Sequence, residues 1–194
     1  ARQAGWHLHF ATSVLGSSEL GTFWNTLAGV RAGGERLANE VRDIVASVGA
    51  REIVLIGASM GGLYCRYAAG LLWGDSDTDF AIGVRARALV TLASPHLGVR
   101  GLFSDGSLKM WFGRRLTQSC SDLMWDSNVL SELASGSCLR ALQAFDHRIA
   151  YAPVEDDGIV AYSSAALTPH LVAKVSSRET LVPPLVDVHR INVE

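Results

Sequence analysis

The stretch over residues 51–72 constrains the fold most, because two apolar runs flank the pentapeptide Gly57-Ala-Ser-Met-Gly61. Four consecutive apolar residues, Ile53 to Ile56, predict a strand that is covered on both faces. The run from Leu63 to Leu72 predicts a buried helix that follows a tight turn. A covered strand that turns directly into a buried helix indicates an α/β domain with a mostly parallel sheet.

The rest of the chain alternates between strand and helix patterns. Apolar residues alternate over 6–12 and predict a strand, whereas residues 13–34 have a turn-rich composition. Apolar residues from Leu37 to Val48 follow helical spacing, and Gly49 is suited to end that helix. Further elements are predicted as strands over 86–92 and 148–154 and within 183–193, and as a helix over 139–145.

This alternation favours a single α/β-hydrolase domain over residues 1–194, with helices on both faces of the sheet. Residues 98–145 are less regular and predict a helical, cap-like insertion. The apolar stretch from Ile53 to Trp73 is long enough to cross a bilayer. Its glycines and β-branched residues favour a strand, a turn and a helix over a transmembrane span.

Charge and cysteine content limit the partners and the compartment. Seventeen Lys and Arg residues against nineteen Asp and Glu give a net charge of −2, so no nucleic-acid partner is expected. The three cysteines lack C-x-x-C spacing, which favours a reduced, intracellular and cytoplasmic location, with a Cys120–Cys138 bridge as the alternative. No signal peptide is visible at Ala1, and we expect the chain to be part of a longer protein.

The pentapeptide is a G-x-S-x-G motif in the setting of a nucleophile elbow, with a strand before it and a helix after it. Such a turn forces Ser59 into a strained backbone conformation. We therefore expect that the turn tolerates only small residues at the flanking positions, which Gly57 and Gly61 occupy. We therefore predict Ser59 as a nucleophile, with the backbone N–H of Met60 as a donor to an oxyanion. The alternative is a glycine-rich turn that carries an incidental serine.

A serine nucleophile needs a base and a carboxylate that orients the base. Asp156 and Asp157 lie just beyond the predicted strand over 148–154, where the acid of this type of fold is expected. An acidic Asp-Gly turn explains the same residues. The sequence pattern does not choose between these interpretations, nor between the two aspartates.

Four of the six histidines are poor candidates for the base. His7 and His9 precede the serine and alternate on one predicted strand, with no third ligand spaced to complete a metal site. His96 follows Pro95 and is expected to have a structural role. His147 precedes the predicted acid, which is the wrong chain order for an α/β-hydrolase.

The other two histidines, His170 and His189, follow the acid in the expected order. His189 lies inside a predicted strand, whereas a catalytic histidine is expected on the loop after one. His189 is nevertheless named as the base within this sequence, and a histidine beyond Glu194, on the loop after that strand, is the alternative. These residues imply no metal and no organic cofactor.

Six segments spread over the chain form a more specific set of motifs. They are residues 33–38, 56–68, 92–101, 141–145, 148–154 and 157–160, and they include Ile56-Gly-Ala-Ser-Met-Gly-Gly-Leu-Tyr-Cys-Arg-Tyr-Ala68 and Leu92-Ala-Ser-Pro-His-Leu-Gly-Val-Arg-Gly101. With these segments the chain resembles the eukaryotic serine esterases known as domain of unknown function 676, a lipase-like branch of the α/β-hydrolases. The resemblance implies Ser59 as nucleophile and Asp157 rather than Asp156 as acid. It also implies that the segment around His96 shapes the site.

The chain departs from that family pattern in three places. Ala58 stands before the nucleophile where the family usually has His, which bears on substrate preference. The family's His-Gly oxyanion loop is expected before Ala1, and its catalytic histidine beyond Glu194. The chain is therefore expected to lack a second oxyanion donor and to show little turnover by itself.

The expected function is hydrolysis of carboxylic esters, with lipid esters favoured, through an acyl-enzyme formed on Ser59. In the predicted cap, Trp111, Phe112 and Trp125 suit an acyl chain, although packing within the cap explains them by default. Acyl transfer to an alcohol uses the same residues, and an inactive lipid- or protein-binding module is a further alternative. Contact with a membrane or lipid surface stays open.

Overall fold

The computed structural model describes residues 5–13, 28–74, 80–99, 118–124, 127–153 and 160–168. Within these ranges, three strands and six helices follow one another along the chain. Their bounds are α1 (Gly29–Val48), β1 (Glu52–Ala58), α2 (Met60–Leu72), β2 (Arg85–Leu92), α3 (Gln118–Asp122), α4 (Asn128–Leu133), α5 (Gly136–Ala144), β3 (His147–Tyr151) and α6 (Tyr162–Ala165). The alternation of strands and helices confirms the predicted α/β class.

The three strands form a parallel sheet in the order β1-β2-β3. Ile56 of β1 pairs with Val90 of β2, which pairs in turn with Ile149 of β3. Because the strands all point the same way, their carboxyl ends lie along one edge of the sheet, where α/β folds place ligands. The residues that follow each strand therefore lie along the same edge.

Helix α2 is the centre of the helical layer, and every residue from Gly62 to Gly70 is buried. It packs against α1, α5, β1 and β2. The main hydrophobic core lies between these elements, and its largest fully buried side chains include Leu63, Leu72, Phe80 and Phe145. None of the described helices is long and apolar enough to cross a membrane.

The two faces of β1 differ in how far they are covered. Leu55 belongs to the core beside α2, whereas Ile56, on the opposite face, is 62% exposed. The helices α1 and α5 both pack on α2, which itself packs on β1. The apolar run of β1 predicts cover on both faces, and the described part of the chain provides it on one.

Helix α1 begins at Gly29, inside the stretch predicted to be turn-rich. Its first N–H groups have distant partners, because Gly29 N donates to Ser119 Oγ at 3.1 Å and Val30 N to Asp122 Oδ2 at 2.7 Å. These bonds satisfy donors that lack a partner within the helix. The turn-rich prediction is therefore wrong for residues 29–34, because a cap from a distant segment leaves no mark on local composition.

The other end of α1 agrees with the prediction. Gly49 has a φ of 63°, and its N–H donates to Val45 O at 3.0 Å. Glycine adopts this left-handed conformation without the steric cost of a Cβ, so it suits the end of a helix.

Residues 6–12 form no strand, so the predicted strand there is wrong. Trp6, Leu8 and Phe10 alternate as the pattern requires, but they are 79%, 74% and 79% exposed. None of the described strands pairs with this segment. Alternation indicates which way side chains point, but a strand forms only where a neighbour supplies hydrogen bonds.

The carboxylate of Glu40 on α1 anchors this segment instead. It accepts hydrogen bonds at 2.7 Å from His9 Nε2, Thr12 N and Ser13 N, and at 3.1 Å from Thr12 Oγ1. Burial by itself raises the pKa of Glu40, but the bonds from Thr12, His9 and Ser13 outweigh it and lower that pKa to about 2. His9 is therefore a partner of Glu40.

The cap-like insertion is described only in part. Helix α5 lies inside the 98–145 segment, connects β2 to β3 and packs on α2. The strand predicted within 183–193 lies outside the described residues. A cap over the site stays a prediction for this segment.

Two cysteines, Cys65 and Cys138, are free thiols. Cys65 and Cys138 are both buried, and burial raises the pKa of Cys65 to about 12. Because Cys138 is free, the alternative of a Cys120–Cys138 bridge is wrong for this structure.

A substitution at Gly33 tests how closely α1 and α2 pack. A Cβ at this position would lie 2.5 Å from Tyr64 Cε1, so we expect Gly33→Ala to lower the free energy of unfolding by about 1–3 kcal/mol. Urea denaturation measures this change. Ala46→Gly, on the exposed part of α1, calibrates the helix-propensity effect at about 1 kcal/mol. A Gly33→Ala chain that gains stability would contradict the close packing.

Glu40 makes the free energy of unfolding depend on pH. Its lowered pKa means that the Glu40 anchor is fully formed above about pH 4.5, its ordinary value, and is lost as the pH falls towards 2. We expect Glu40→Gln to lower the free energy of unfolding by about 1 kcal/mol at pH 7, after allowance for solvent screening. Urea titrations between pH 7 and pH 2.5 measure the difference, which should shrink at low pH. A constant difference would contradict the role of the charge.

Candidate active site

Ser59 lies in the turn between β1 and α2, at the carboxyl edge of the sheet. Its φ of 50° and ψ of −128° form a conformation that residues with a Cβ rarely adopt, at a cost of about 1–3 kcal/mol. Two backbone bonds hold it, from Ser59 N to Leu92 O at 2.8 Å and from Gly62 N to Ser59 O at 3.1 Å. The residue is exposed, and its side chain makes no bond that caps α2. The turn therefore exposes Ser59 at the edge where α/β folds generally place ligands.

The glycines around Ser59 are not equivalent. A Cβ on Gly57 would lie 2.5 Å from the carbonyl carbon of Gly61 and 2.6 Å from Gly62 N. A Cβ on Gly61 would meet no described atom within 4 Å. The expectation that both flanking residues must be small is right for Gly57 and wrong for Gly61, because a Cβ on Gly61 has open space among the described atoms.

The loop over residues 93–98 packs against this turn, and we call it the buttress loop. A Cβ on Gly62 would overlap the side chain of Ser94, which is buried. Ala93 has a φ of 48°, and its N–H donates to Tyr151 O at 2.8 Å. The buttress loop therefore contacts the nucleophile turn and the end of β3 together.

Met60 is the first residue of α2 and follows Ser59 directly. A backbone N–H at the start of a helix has no partner within that helix. The aligned peptide dipoles also place partial positive charge at this end. The predicted oxyanion donor is thus located beside the predicted nucleophile.

His96 is buried in the buttress loop and bonds through both ring nitrogens. Its Nδ1 lies 3.2 Å from Arg66 Nη1, and its Nε2 lies 2.9 Å from Thr91 Oγ1. A guanidinium only donates, so Nδ1 accepts and the ring proton resides on Nε2, which donates to Thr91. Burial, and secondarily the charge of Arg66, lower the pKa of His96 to about 3. This geometry agrees with the structural role expected for His96.

Arg66 was not singled out as a candidate from the sequence. It lies on α2, is 6% exposed, and donates from Nη2 to Leu133 O at 3.0 Å. Burial lowers its pKa to about 10, which leaves it charged at neutral pH. A sequence signal was present, because Arg66 is the one charged residue between Ile53 and Trp73 and buried charges need partners.

A second buried hydroxyl connects the buttress loop to the segment over 160–168. Ser164 Oγ of α6 donates to Gly98 O at 2.7 Å and accepts from Leu97 N at 3.0 Å. This segment follows Asp157 in the chain. The buttress loop is thus bonded on both sides of the region that carries the predicted acid.

The predicted acid and base lie outside the described residues, namely Asp156, Asp157, His170 and His189. The strand that precedes the predicted acid, β3, ends at Tyr151, on the same edge of the sheet as Ser59. His147 begins β3 and lies at the opposite edge. Within the described ranges, no group of three His, Cys, Asp or Glu side chains is placed to bind a metal ion.

The glycine pair around Ser59 offers a matched test. We expect Gly57→Ala to lower the free energy of unfolding by about 2–4 kcal/mol, because its Cβ meets backbone atoms that cannot rotate away. Gly61→Ala should change it by less than about 1 kcal/mol, since its Cβ meets open space. Urea denaturation of both variants measures the contrast. Equal effects would contradict the asymmetry of the turn.

Comparison with solved structures supports the fold. The propeptide form of the lipase BlEst2 from Bacillus licheniformis superposes with a TM-score of 0.50 at 17% identity, over 71% of this chain and 34% of that one. The mature form has a TM-score of 0.44 at 17% identity, over 72% of this chain and 53% of that one, and adds no argument. The chain thus spans about a third of the first lipase chain. At this identity the likeness establishes the lipase-type α/β-hydrolase fold alone.

The comparison with curated proteins found no match. A family model described as "Putative serine esterase (DUF676)" matches residues 11–170. The match covers most of the chain, including the turn at Ser59, the buttress loop and β3. The chain therefore belongs to the DUF676 family.

Proposed function

We propose that the protein is a carboxylic-ester hydrolase in which Ser59 is the nucleophile. The observation that carries the proposal is the strained, exposed Ser59 at the carboxyl edge of a parallel sheet. Strain of this kind persists only where surrounding contacts enforce it, and it is concentrated at functional sites. Membership of a serine esterase family supports the same chemistry.

The proposed reaction begins when Ser59 Oγ attacks the ester carbonyl carbon and its proton passes to a histidine. The resulting oxyanion accepts a hydrogen bond from Met60 N. The carbon–oxygen bond to the alcohol then breaks, the histidine returns its proton to the alcohol, and the acyl group stays on Ser59. Water then attacks the acyl-enzyme through the same two steps, which releases the carboxylic acid and the free serine.

We propose Asp157 as the acid that orients this histidine. It follows β3, which is separated from β1 by a single strand. Neighbouring strands are about 4.8 Å apart, so the backbones at the two strand ends are separated by roughly 10 Å, a distance that the side chains of a serine, a histidine and an aspartate can span together. The base proposed within this sequence is His189, with a histidine beyond Glu194 as the alternative.

The proposed substrates are lipid esters. The aromatic residues in the 98–145 segment, Trp111, Phe112 and Trp125, suit an acyl chain. The fold is that of a protein described as a lipase. Acyl transfer to an alcohol proceeds through the same acyl-enzyme, and product analysis with and without an added alcohol separates the two reactions.

A fluorophosphonate probe tests the nucleophile without a known substrate. We expect the probe to modify Ser59 of the full-length protein, because its phosphorus is attacked by an activated serine. Mass spectrometry of the peptide that contains Ser59 identifies the adduct. Ser59→Ala should abolish labelling and leave the folded structure intact, as circular dichroism can verify. A folded protein that the probe does not label would contradict the proposed enzymatic function and favour a binding module.

A further inference from the structure

The buried charge of Arg66 has neutral partners in the described structure. Its Nη1 and Nη2 bond to His96 Nδ1 and to Leu133 O, and its Nε–H has no partner among the described residues. A buried cation is costly unless nearby dipoles compensate it. Leu133 is the last residue of α4, where unpaired carbonyls carry partial negative charge. The charge is thus held between a helix end and a neutral imidazole.

This arrangement makes His96 a bridge between two elements. On one side its ring accepts from Arg66 of α2, and on the other it donates to Thr91 of β2. Protonation of Nδ1 would place a second cation against Arg66 and remove the acceptor. The titratable group beside Arg66 from α5 is Cys138, whose pKa is raised chiefly by burial. The bridge therefore requires the neutral ring.

The bridge is connected to the nucleophile through the buttress loop. His96 N donates to Ser94 O at 2.9 Å, and the side chain of Ser94 occupies the space beside Gly62. Ser94 Oγ lies 3.5 Å from both Gly57 O and Leu92 O. Leu92 O is the acceptor for Ser59 N. A shift of His96 would therefore move the atoms that hold the backbone of Ser59.

We propose that Arg66 and His96 are positioning residues for Ser59. The pair fixes the buttress loop against the nucleophile turn and so sets the direction of Ser59 Oγ and of the Met60 N–H. The proton that leaves Ser59 does not pass to His96, because both of its ring nitrogens are already bonded. This inference rests on the proposed function of Ser59.

The test measures the second-order rate of fluorophosphonate labelling of Ser59 in the full-length protein. Thr91→Val preserves shape and removes the acceptor for His96 Nε2, and His96→Leu removes the bridge. We expect the labelling rate to fall about tenfold for Thr91→Val and about 100-fold for His96→Leu, the scale of a small misplacement of a reacting group. Arg42→Gln, an exposed arginine of α1, is the control and should label at the wild-type rate.

Two further readouts separate positioning from other roles. Rates are compared at a temperature where urea titrations find each variant folded, and from pH 5 to pH 9. Positioning predicts a lower rate with the same inflexion in the pH profile. A folded variant with the wild-type rate would mean a merely structural role, and loss of the inflexion would mean that His96 is the base; either result overturns the inference. Absence of labelling in the wild type would overturn the proposed function and this inference with it.

Discussion

The close contact between Gly62 and Ser94 is the packing constraint on which the candidate site depends. Because Gly62 has no Cβ, the buttress loop can approach the start of α2. That approach keeps the end of β2 beside the turn, where Leu92 O accepts the bond from Ser59 N. The strained conformation of Ser59 is stable only because these neighbours enforce it. The turn and the end of β2 are thus held together by this contact and this hydrogen bond.

The interior position of α2 adds a second constraint. Its neighbours approach so closely that Gly33 and Gly34 of α1 face the rings of Tyr64 and Tyr67, and Gly70 faces Cys138. Interiors are packed as densely as organic crystals, so such contacts hold the helix in one place. The same burial makes the charge of Arg66 energetically unfavourable unless polar groups compensate it. His96 and the end of α4 are the partners that do so. Both the close packing contacts and the partners of the buried charge therefore hold α2, the helix that begins after Ser59.

Local sequence patterns predicted secondary structure correctly wherever the residues that determine it are close together in the chain. The apolar runs predicted β1, β2 and α2, and Gly49 predicted the end of α1. They failed where a distant segment decides the outcome. Residues 29–34 are helical because Ser119 and Asp122 cap them, and residues 6–12 are held by Glu40 rather than by a strand.

The sequence by itself determined the strand, turn and helix around Ser59, because the steric demands of that turn act between adjacent residues. It also places the acid candidates, Asp156 and Asp157, just after a predicted strand. Only the tertiary structure decided that Gly57, and not Gly61, is sterically required, and that Arg66 and Thr91 hold His96 in its neutral form. These outcomes depend on groups that become neighbours only in the folded chain, and no local pattern encodes such neighbours.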